Sequence, residues 1–209
     1  MNRKKPDTFA VIVDGKCEAM YLQMLLKNEP AVQISIDPEI PQDKILSDLF
    51  EIVKEKAKSY TKVVWIVDLD VVIRETNEAP KGKKTLMEDF LEYQSILKNY
   101  KNVVVIVNNL CFEFWILLHF EQNNSIFPDY KSLEKEVKNH LYDYEKSKKY
   151  YIKPKPDIWL RLKEFLQTAY ENAKTLGSFD ANNDRKALAE MWLLFEEDAF
   201  KGLVEIKGK

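Results

Sequence analysis

The chain has 209 residues, of which 45% are hydrophobic, 32% charged and 12% aromatic, and it contains only 5 Gly and 8 Pro. This composition excludes a disordered, collagenous or Gly/Ser-rich chain and predicts a compact globular protein. The 32 basic and 34 acidic side chains give a net charge of -2, so no global field draws the protein to nucleic acid or to a membrane. Any site for a polyanion must therefore be a local patch.

The sequence contains no pattern typical of a membrane-spanning helix, a disulfide framework or an ATP-binding loop. A membrane-spanning helix needs about 18 consecutive apolar residues, and neither such a window nor a signal-peptide core is found. The two cysteines, Cys17 and Cys111, form no CxxC motif, no histidine pair has ligand spacing, and no GxxxxGK[ST] sequence occurs. We therefore expect a cytoplasmic protein with no membrane partner, whose two cysteines are buried and reduced.

Short apolar segments alternate with amphipathic ones over the first 107 residues. Continuous runs of β-favouring residues predict strands, and one segment of alternating pattern predicts a strand nearer a sheet edge. These predicted strands are residues 8–13, 32–36 (the alternating one), 62–67 and 102–107. Helical spacing predicts helices from about Glu18, over 42–60 and over 85–100. This alternation predicts an α/β fold with a mostly parallel sheet flanked by helices.

The remaining segments are predicted from composition and spacing. Residues 71–84 are polar and are predicted as a mobile surface loop. After Gln122 the strand signals stop, and helices are predicted over residues 131–140, 157–176 and 184–198. The predicted organisation is an α/β domain over 1–122 and a helical C-terminal extension, residues 123–209, packed on it.

Carboxylates follow two of the predicted strands. Asp14 ends the first strand, Glu18 lies one turn into the next helix, and Asp68 and Asp70 follow the third strand. They converge if these strands are neighbours, and Asp68 and Asp70 share a face if the strand continues that far. Clustered carboxylates need a hard divalent cation, and all-oxygen ligands favour Mg²⁺ or Mn²⁺ acting on phosphates. The alternative is a turn or helix cap at the first motif and a solvated second motif.

The segment 111–120 predicts a short, buried helix under the sheet edge. Glu113 lies among these apolar residues, where a carboxylate is unfavourable unless it is paired or bound to a cation. It therefore either caps the helix or joins the metal shell. His119 ends the same apolar run. It is either a hydrogen-bonded core residue or a group that orients a water or contacts a phosphate.

Lysines and tyrosines are concentrated in residues 145–156. Lysines neutralise phosphates and tyrosines stack on bases, which favours a nucleic-acid contact. The predicted contact residues are Lys148, Lys149, Tyr150, Lys153 and Lys155. The alternative is a solvated loop.

Three blocks of the sequence resemble the RloB-like family, Toprim-type proteins of bacterial phage-defence loci. Residues 13–21 are similar to the family's EGxTExxY start, 67–70 contain its DxD pair, and 109–120 look like its SNPCFExWLLLHF segment. The resemblance implies a Toprim fold, a Rossmann-like α/β domain whose carboxylates bind Mg²⁺. Carried over by position, the metal ligands are Asp14, Glu18, Asp68 and Asp70, with Asp14 one methylene shorter than the family's glutamate. Cys17 and Leu110 replace the family's Thr and Pro.

The resemblance also implies a function. It predicts a Mg²⁺- or Mn²⁺-dependent nuclease that cleaves DNA or RNA, including tRNA, in anti-phage abortive infection, with an ABC-like AAA ATPase partner encoded nearby. The catalytic residues would be Glu18, Asp68 and Asp70, supported by Glu113 and His119. Self-association as a homo-oligomer is left open.

Two other functions are compatible with the same residues. The chain could be a non-catalytic effector or assembly subunit that docks on the ATPase, which an exposed apolar patch around Trp192, Leu193 and Phe195 would favour. The weaker alternative is nucleotidyl or phosphoryl transfer at the same carboxylates.

Overall fold

The computed structural model describes residues 8–13, 15–32, 35–39, 45–152, 156–184 and 186–206. Three predicted site residues, Asp14, Lys153 and Lys155, lie outside these ranges. The strands in the described part are β1 (Thr8–Val13), β2 (Ser35–Glu39), β3 (Lys62–Asp68), β4 (Val103–Asn109) and β5 (Leu188–Ala189).

The five strands form one sheet in the order β2-β1-β3-β4-β5. The first four strands are parallel, and β5 pairs antiparallel with β4. The predicted α/β class and mostly parallel sheet are therefore confirmed, and the strand of alternating pattern lies at an edge as expected. That strand is shifted along the chain from the predicted 32–36 to Ser35–Glu39. An edge position tolerates its Pro38, since a proline cannot donate to a central ladder.

Helices fill the connections and most of the C-terminal part. They are α1 (Lys16–Asn28), α2 (Leu46–Lys56), α3 (Leu69–Glu78), α4 (Leu86–Leu97), α5 (Glu113–Leu118), α6 (Tyr130–His140), α7 (Lys148–Tyr151), α8 (Ile158–Leu162), α9 (Leu166–Leu176) and α10 (Trp192–Glu196). α4 begins where predicted because Thr85 and Glu88 form a capping box: the Thr85 hydroxyl accepts from the Glu88 N–H, and the Glu88 carboxylate accepts from the Thr85 N–H. Of the helices in the described ranges, none has the length and apolar character needed to cross a bilayer.

The predicted loop over 71–84 is wrong in its first half, where α3 continues to Glu78. Leu69 and Val72 are buried and Ile73 is half-buried on the same side of this helix. Apolar residues at spacings of three and four make one face of an amphipathic helix, while the polar residues between them lie at the surface. The sequence prediction missed this pattern because it used the overall polar composition of residues 71–84.

The predicted helix over 184–198 is wrong in its first half, which contains strand β5, whereas α10 lies in its second half. The cause is tertiary hydrogen bonding around Glu190. Its carboxylate accepts from the Val107 N–H of β4 and from the Phe179 N–H, both at 2.9 Å. These bonds hold Leu188 and Ala189 extended against β4 and override local helix preference. The predicted helix over 157–176 is divided by a 3₁₀ turn at Lys163–Phe165.

The C-terminal extension shares the core of the α/β part. α5 packs against α6 and α9, and Phe195 of α10 stacks on Trp115 with ring centroids 5.7 Å apart. The extension therefore completes the sheet and covers α5, and it is not helical throughout. Cys17 and Cys111 are buried and free, as predicted.

Candidate functional site

Two carboxylates meet at the carboxyl edge of the sheet. Glu18 lies in the first turn of α1, directly after β1, and Asp68 is the last residue of β3. Because β1 and β3 are adjacent and parallel, their ends bring the two side chains together, and each carboxyl group affects the pKa of the other. Glu18 is 2% and Asp68 8% exposed. The predicted convergence thus occurs for these two residues.

The orientation of Asp68 is fixed from the neighbouring strand and from α5. Its Oδ1 accepts from Asn108 Nδ2 at 3.1 Å, and its Oδ2 accepts from the Phe112 N–H at 3.0 Å. Asn108 is the residue directly across from Asp68 on β4. Two donors from separate elements hold the carboxylate in one position, which pre-organises it for a ligand.

One carboxylate oxygen of Glu18 makes no hydrogen bond within the described residues. This atom, Oε2, is buried. A Cβ on Gly15 would lie 2.7 Å from this oxygen, although the Gly15 backbone (φ -127°, ψ 169°) is an extended conformation that any residue adopts. Glycine at this position therefore provides space for the carboxylate and not a special backbone angle.

The electrostatics of the pair favour a cation. Burial raises the pKa of Glu18 to about 7. Burial, together with the charges of Glu18 and Glu113, raises the pKa of Asp68 well above its usual range. Neighbouring buried carboxylates cannot all ionise without a compensating positive charge. An unpaired oxygen on such a pair is the donor chemistry that a hard divalent cation needs.

The cluster of metal ligands is smaller than predicted within the described residues. No group of three or more His, Cys, Asp or Glu side chains in those ranges is arranged to hold a metal ion. β3 ends at Asp68, so Asp70 lies in the first turn of α3 and not on the strand face, and its Oδ1 accepts from the Val71 N–H at 2.7 Å. The condition for a shared strand face, that the strand continues to Asp70, is therefore not met.

Glu113, the first residue of α5, is completely buried and pairs with a lysine. Lys146 Nζ lies 3.0 Å from Oε1 and 3.2 Å from Oε2, and the Tyr144 hydroxyl donates to Oε1 at 3.1 Å. The N-cap of α5 is Phe112, so Glu113 does not cap the helix. Burial by itself lowers the pKa of Lys146, but the Glu113 carboxylate raises this pKa by a larger amount. The net shift is therefore upward, and the ammonium stays charged.

Tyr144 and Tyr151 extend this network to α7. Their hydroxyls are 2.8 Å apart. Sequence analysis did not place these tyrosines, Lys146 or Asn108 in the site. Asn108 was detectable in principle, because it follows an apolar strand as Asp68 does. The others come from residues 144–151, where no spacing rule connects them to the strands.

His119 lies in the core at the opposite end of α5 from Glu113. Its ring is fully buried, Nδ1 is 2.9 Å from the Trp115 carbonyl oxygen, and the ring meets Trp115 edge-on. Burial lowers its pKa to about 4, so the imidazole is neutral at physiological pH. Six helical residues span about 9 Å, so the structure does not bring His119 to the Glu113 end of the helix. The structure therefore supports the interpretation of His119 as a hydrogen-bonded core residue.

The predicted nucleic-acid contact is confirmed for none of its residues and is wrong for Tyr150. Tyr150 is 1% exposed, its hydroxyl accepts from Arg161 Nη1 at 3.1 Å, and the Arg161 guanidinium lies 4.7 Å from its ring centroid. A base cannot stack on a ring that is already covered. Lys148 and Lys149 are exposed on α7, so they stay predicted contacts.

The apolar patch expected for a docking subunit is not exposed. Phe195 is buried, and Trp192 and Leu193 are half-buried against the core. Lys174 Nζ lies 5.2 Å from the centroid of the Trp192 ring and covers part of it.

Comparison with known proteins finds a family whose model matches most of the chain. Residues 9–197 match the family model described as RloB-like protein. This range includes Glu18, Asp68, Glu113 and Lys146, and it extends well into the C-terminal helices. No curated protein and no solved structure matches the chain.

Proposed function

Because the chain belongs to the RloB-like protein family, we propose that it is a nuclease that hydrolyses phosphodiester bonds of DNA or RNA with Mg²⁺ or Mn²⁺. The observation that carries the proposal is the pair Glu18 and Asp68, buried side by side at the carboxyl ends of adjacent parallel strands, with one oxygen that has no hydrogen-bond partner in the described part of the chain. Such crevices are where open α/β sheets bind ligands. A buried acidic pair is unfavourable by itself, and a bound cation would stabilise its ionised form.

The pair Glu18 and Asp68 would hold the cation. Two carboxylates are a sufficient protein contribution for Mg²⁺, which usually keeps several waters and takes its remaining ligands from phosphates. When bound, the metal would polarise the scissile phosphate and lower the pKa of the attacking water. Asp14 and Asp70 stay predicted contributors at the same edge.

The other residues support this pair. Asn108 and the Phe112 N–H orient Asp68, and Gly15 leaves room for the Glu18 carboxylate. Lys146 is held by Glu113, which directly follows Phe112 in the chain, and its positive charge would pair with a phosphate oxygen. Glu113 therefore acts through Lys146 in this proposal and not as a direct metal ligand.

The biological role is proposed from the family resemblance. A Toprim identity for the α/β fold, anti-phage defence and an ABC-like AAA ATPase partner all rest on the sequence blocks at residues 13–21, 67–70 and 109–120. No observation favours the non-catalytic subunit, since the patch that would have supported it is packed against the core.

Metal binding tests the proposal without the partner or the natural substrate. Calorimetry with Mn²⁺ and Mg²⁺ should detect binding to the parent and none to Glu18→Gln/Asp68→Asn, whose side chains keep their size and lose their charge. The matched control is Glu29→Gln, a mostly buried glutamate just after the opposite end of α1 that pairs with Lys163. It should bind metal as the parent does.

Cleavage is tested next with labelled single- and double-stranded DNA, RNA and tRNA. The parent should cut at least one of them only with a divalent cation, and the double variant should lose more than about 100-fold in rate. Absence of metal binding at millimolar concentration with phosphate added, or equal cleavage by the double variant, would refute the proposed function.

A further inference from the structure

One aromatic side chain in the described part of the chain is almost completely exposed. Tyr142 is 89% exposed, the highest value for an aromatic side chain in the described part of the chain. It lies in the turn between α6 and α7, two residues before Tyr144, whose hydroxyl donates to Glu113. The proposed function gives this ring no role.

The turn that carries Tyr142 is anchored on both sides. Leu141 is 8% and Tyr144 2% exposed, so the residues that flank the ring are in the core. Asp143 forms a two-point ion pair with Arg161, at 2.8 Å and 3.1 Å. A bidentate arginine pair fixes geometry as well as energy. The ring is therefore held outward by a rigid turn, and little conformational entropy is lost if a ligand packs on it.

The same turn leads into the carboxylate cluster. Lys146 is four residues beyond Tyr142, a distance of chain that spans at most about 14 Å. Its ammonium contacts the buried Glu113, yet the side chain is 46% exposed, and it lies 4.8 Å from the centroid of the Tyr130 ring. A positive group that is partly open to solvent thus follows the exposed ring by four residues and contacts the buried Glu113.

Two more exposed lysines follow in the chain, Lys148 and Lys149 on α7. The chain as a whole has a net charge of -2, so attraction for a polyanion must come from such a local group of lysines. An exposed ring followed in the chain by several lysines is a combination that binds single strands. Bases stack on the ring, and the lysines bind phosphates of the backbone.

We propose that the turn and helix over residues 141–149 form the contact for a single-stranded nucleic acid, with the Tyr142 ring stacked on a base and Lys146, Lys148 and Lys149 on phosphates of the same strand. This inference rests on the proposed function for the position of the cut, next to Lys146. It selects a single-stranded substrate because the faces of the bases are covered in a duplex. It also replaces Tyr150, which is buried, as the aromatic contact.

Binding is measured apart from cleavage by fluorescence anisotropy, with labelled single-stranded DNA, single-stranded RNA and duplex oligonucleotides in EDTA. The parent should bind single strands more tightly than duplex. Tyr142→Ala should weaken single-strand binding about tenfold, and Tyr142→Phe should restore it, since stacking needs only the ring. Lys148→Ala/Lys149→Ala should weaken binding and make it less salt-dependent.

The matched control is Lys98→Ala/Lys101→Ala, two exposed lysines at the amino end of β4 and so at the opposite edge of the sheet. This variant should bind as the parent does. Equal binding by Tyr142→Ala and the parent, or no binding of any single strand, would overturn the inference.

Failure of this inference and failure of the proposed function are separable. If the parent cleaves nucleic acid and Tyr142→Ala cleaves and binds equally well, the nuclease stands and the contact surface is wrong. If strands bind through Tyr142 but Glu18→Gln/Asp68→Asn and the parent both fail to cut, the surface stands and the nuclease is wrong.

Discussion

The ammonium of Lys146 lies 3.0 Å from Oε1 of Glu113, a carboxylate that is completely buried at the start of α5. This pair joins residues separated by 33 positions and connects the C-terminal segment to the edge of the sheet that carries Asp68. It explains how a carboxylate is accommodated in an apolar helix, because a buried charge is tolerated when it is paired and hydrogen-bonded.

Lys146→Met should destabilise the protein by about 1–3 kcal/mol, because it leaves the Glu113 carboxylate buried without its counter-charge. Urea unfolding followed by circular dichroism measures the change. Lys146→Met/Glu113→Gln should recover part of the loss, and Lys148→Met, an exposed lysine of the same segment, should have little effect. A stability of Lys146→Met equal to the parent would show that the pair contributes nothing.

Gly15→Ala should weaken Mn²⁺ binding while changing the free energy of unfolding by less than about 1 kcal/mol. The backbone at Gly15 accepts any residue, but the new Cβ would lie 2.7 Å from Glu18 Oε2 and push the carboxylate aside. Calorimetric titration of the folded variant is the measurement. Unchanged affinity would mean that Glu18 Oε2 is not used by the metal.

The pH dependence of stability should contain a contribution from His119. Its pKa is about 4 in the folded protein against 6.5 ordinarily, so between these values the unfolded chain binds a proton that the folded protein does not. Stability is therefore lost as the pH falls through this window, with a slope of about 1.4 kcal/mol per pH unit.

His119→Gln should remove this slope, and unfolding titrations from pH 4 to 7 measure it. The control is His140→Gln, which alters the other histidine, at the surface beside Glu121. Parallel curves for His119→Gln and the parent would contradict the prediction.

Glu190→Ala should destabilise the protein by at least about 1–3 kcal/mol, because the buried Val107 N–H loses its acceptor. The Phe179 N–H loses its acceptor as well. Glu190→Gln keeps one acceptor oxygen and should lie between Glu190→Ala and the parent in denaturant midpoint. If alanine and glutamine are equally tolerated, the carboxylate is not what holds β5 against β4.

The sequence was a good guide where local pattern and environment agree. Continuous apolar runs identified β1, β3 and β4, and helical spacing identified α4. It was a poor guide where a few long-range bonds outweigh propensity. Strand β5 exists because the Glu190 carboxylate and β4 hold it, and no period in residues 184–198 reports those bonds.

The same division holds for the site. Glu18 and Asp68 could be chosen from the sequence, because parallel strands place their carboxyl ends at one edge whatever the rest of the fold does. The end of β3 at Asp68, which turns Asp70 onto a helix, depends on packing and was not predictable from the DxD spacing. The burial of Tyr150 under Arg161 and the exposure of Tyr142 were likewise beyond a compositional argument.

By itself, the sequence determined the α/β class, the membership in its family and the two carboxylates, since each is written in a contiguous motif or a short period. The tertiary structure alone decided that Lys146 neutralises Glu113, that Asn108 orients Asp68 and that His119 lies in the core. Those contacts join residues far apart in the chain, and their partners are chosen by the packing of whole elements, which no local spacing encodes.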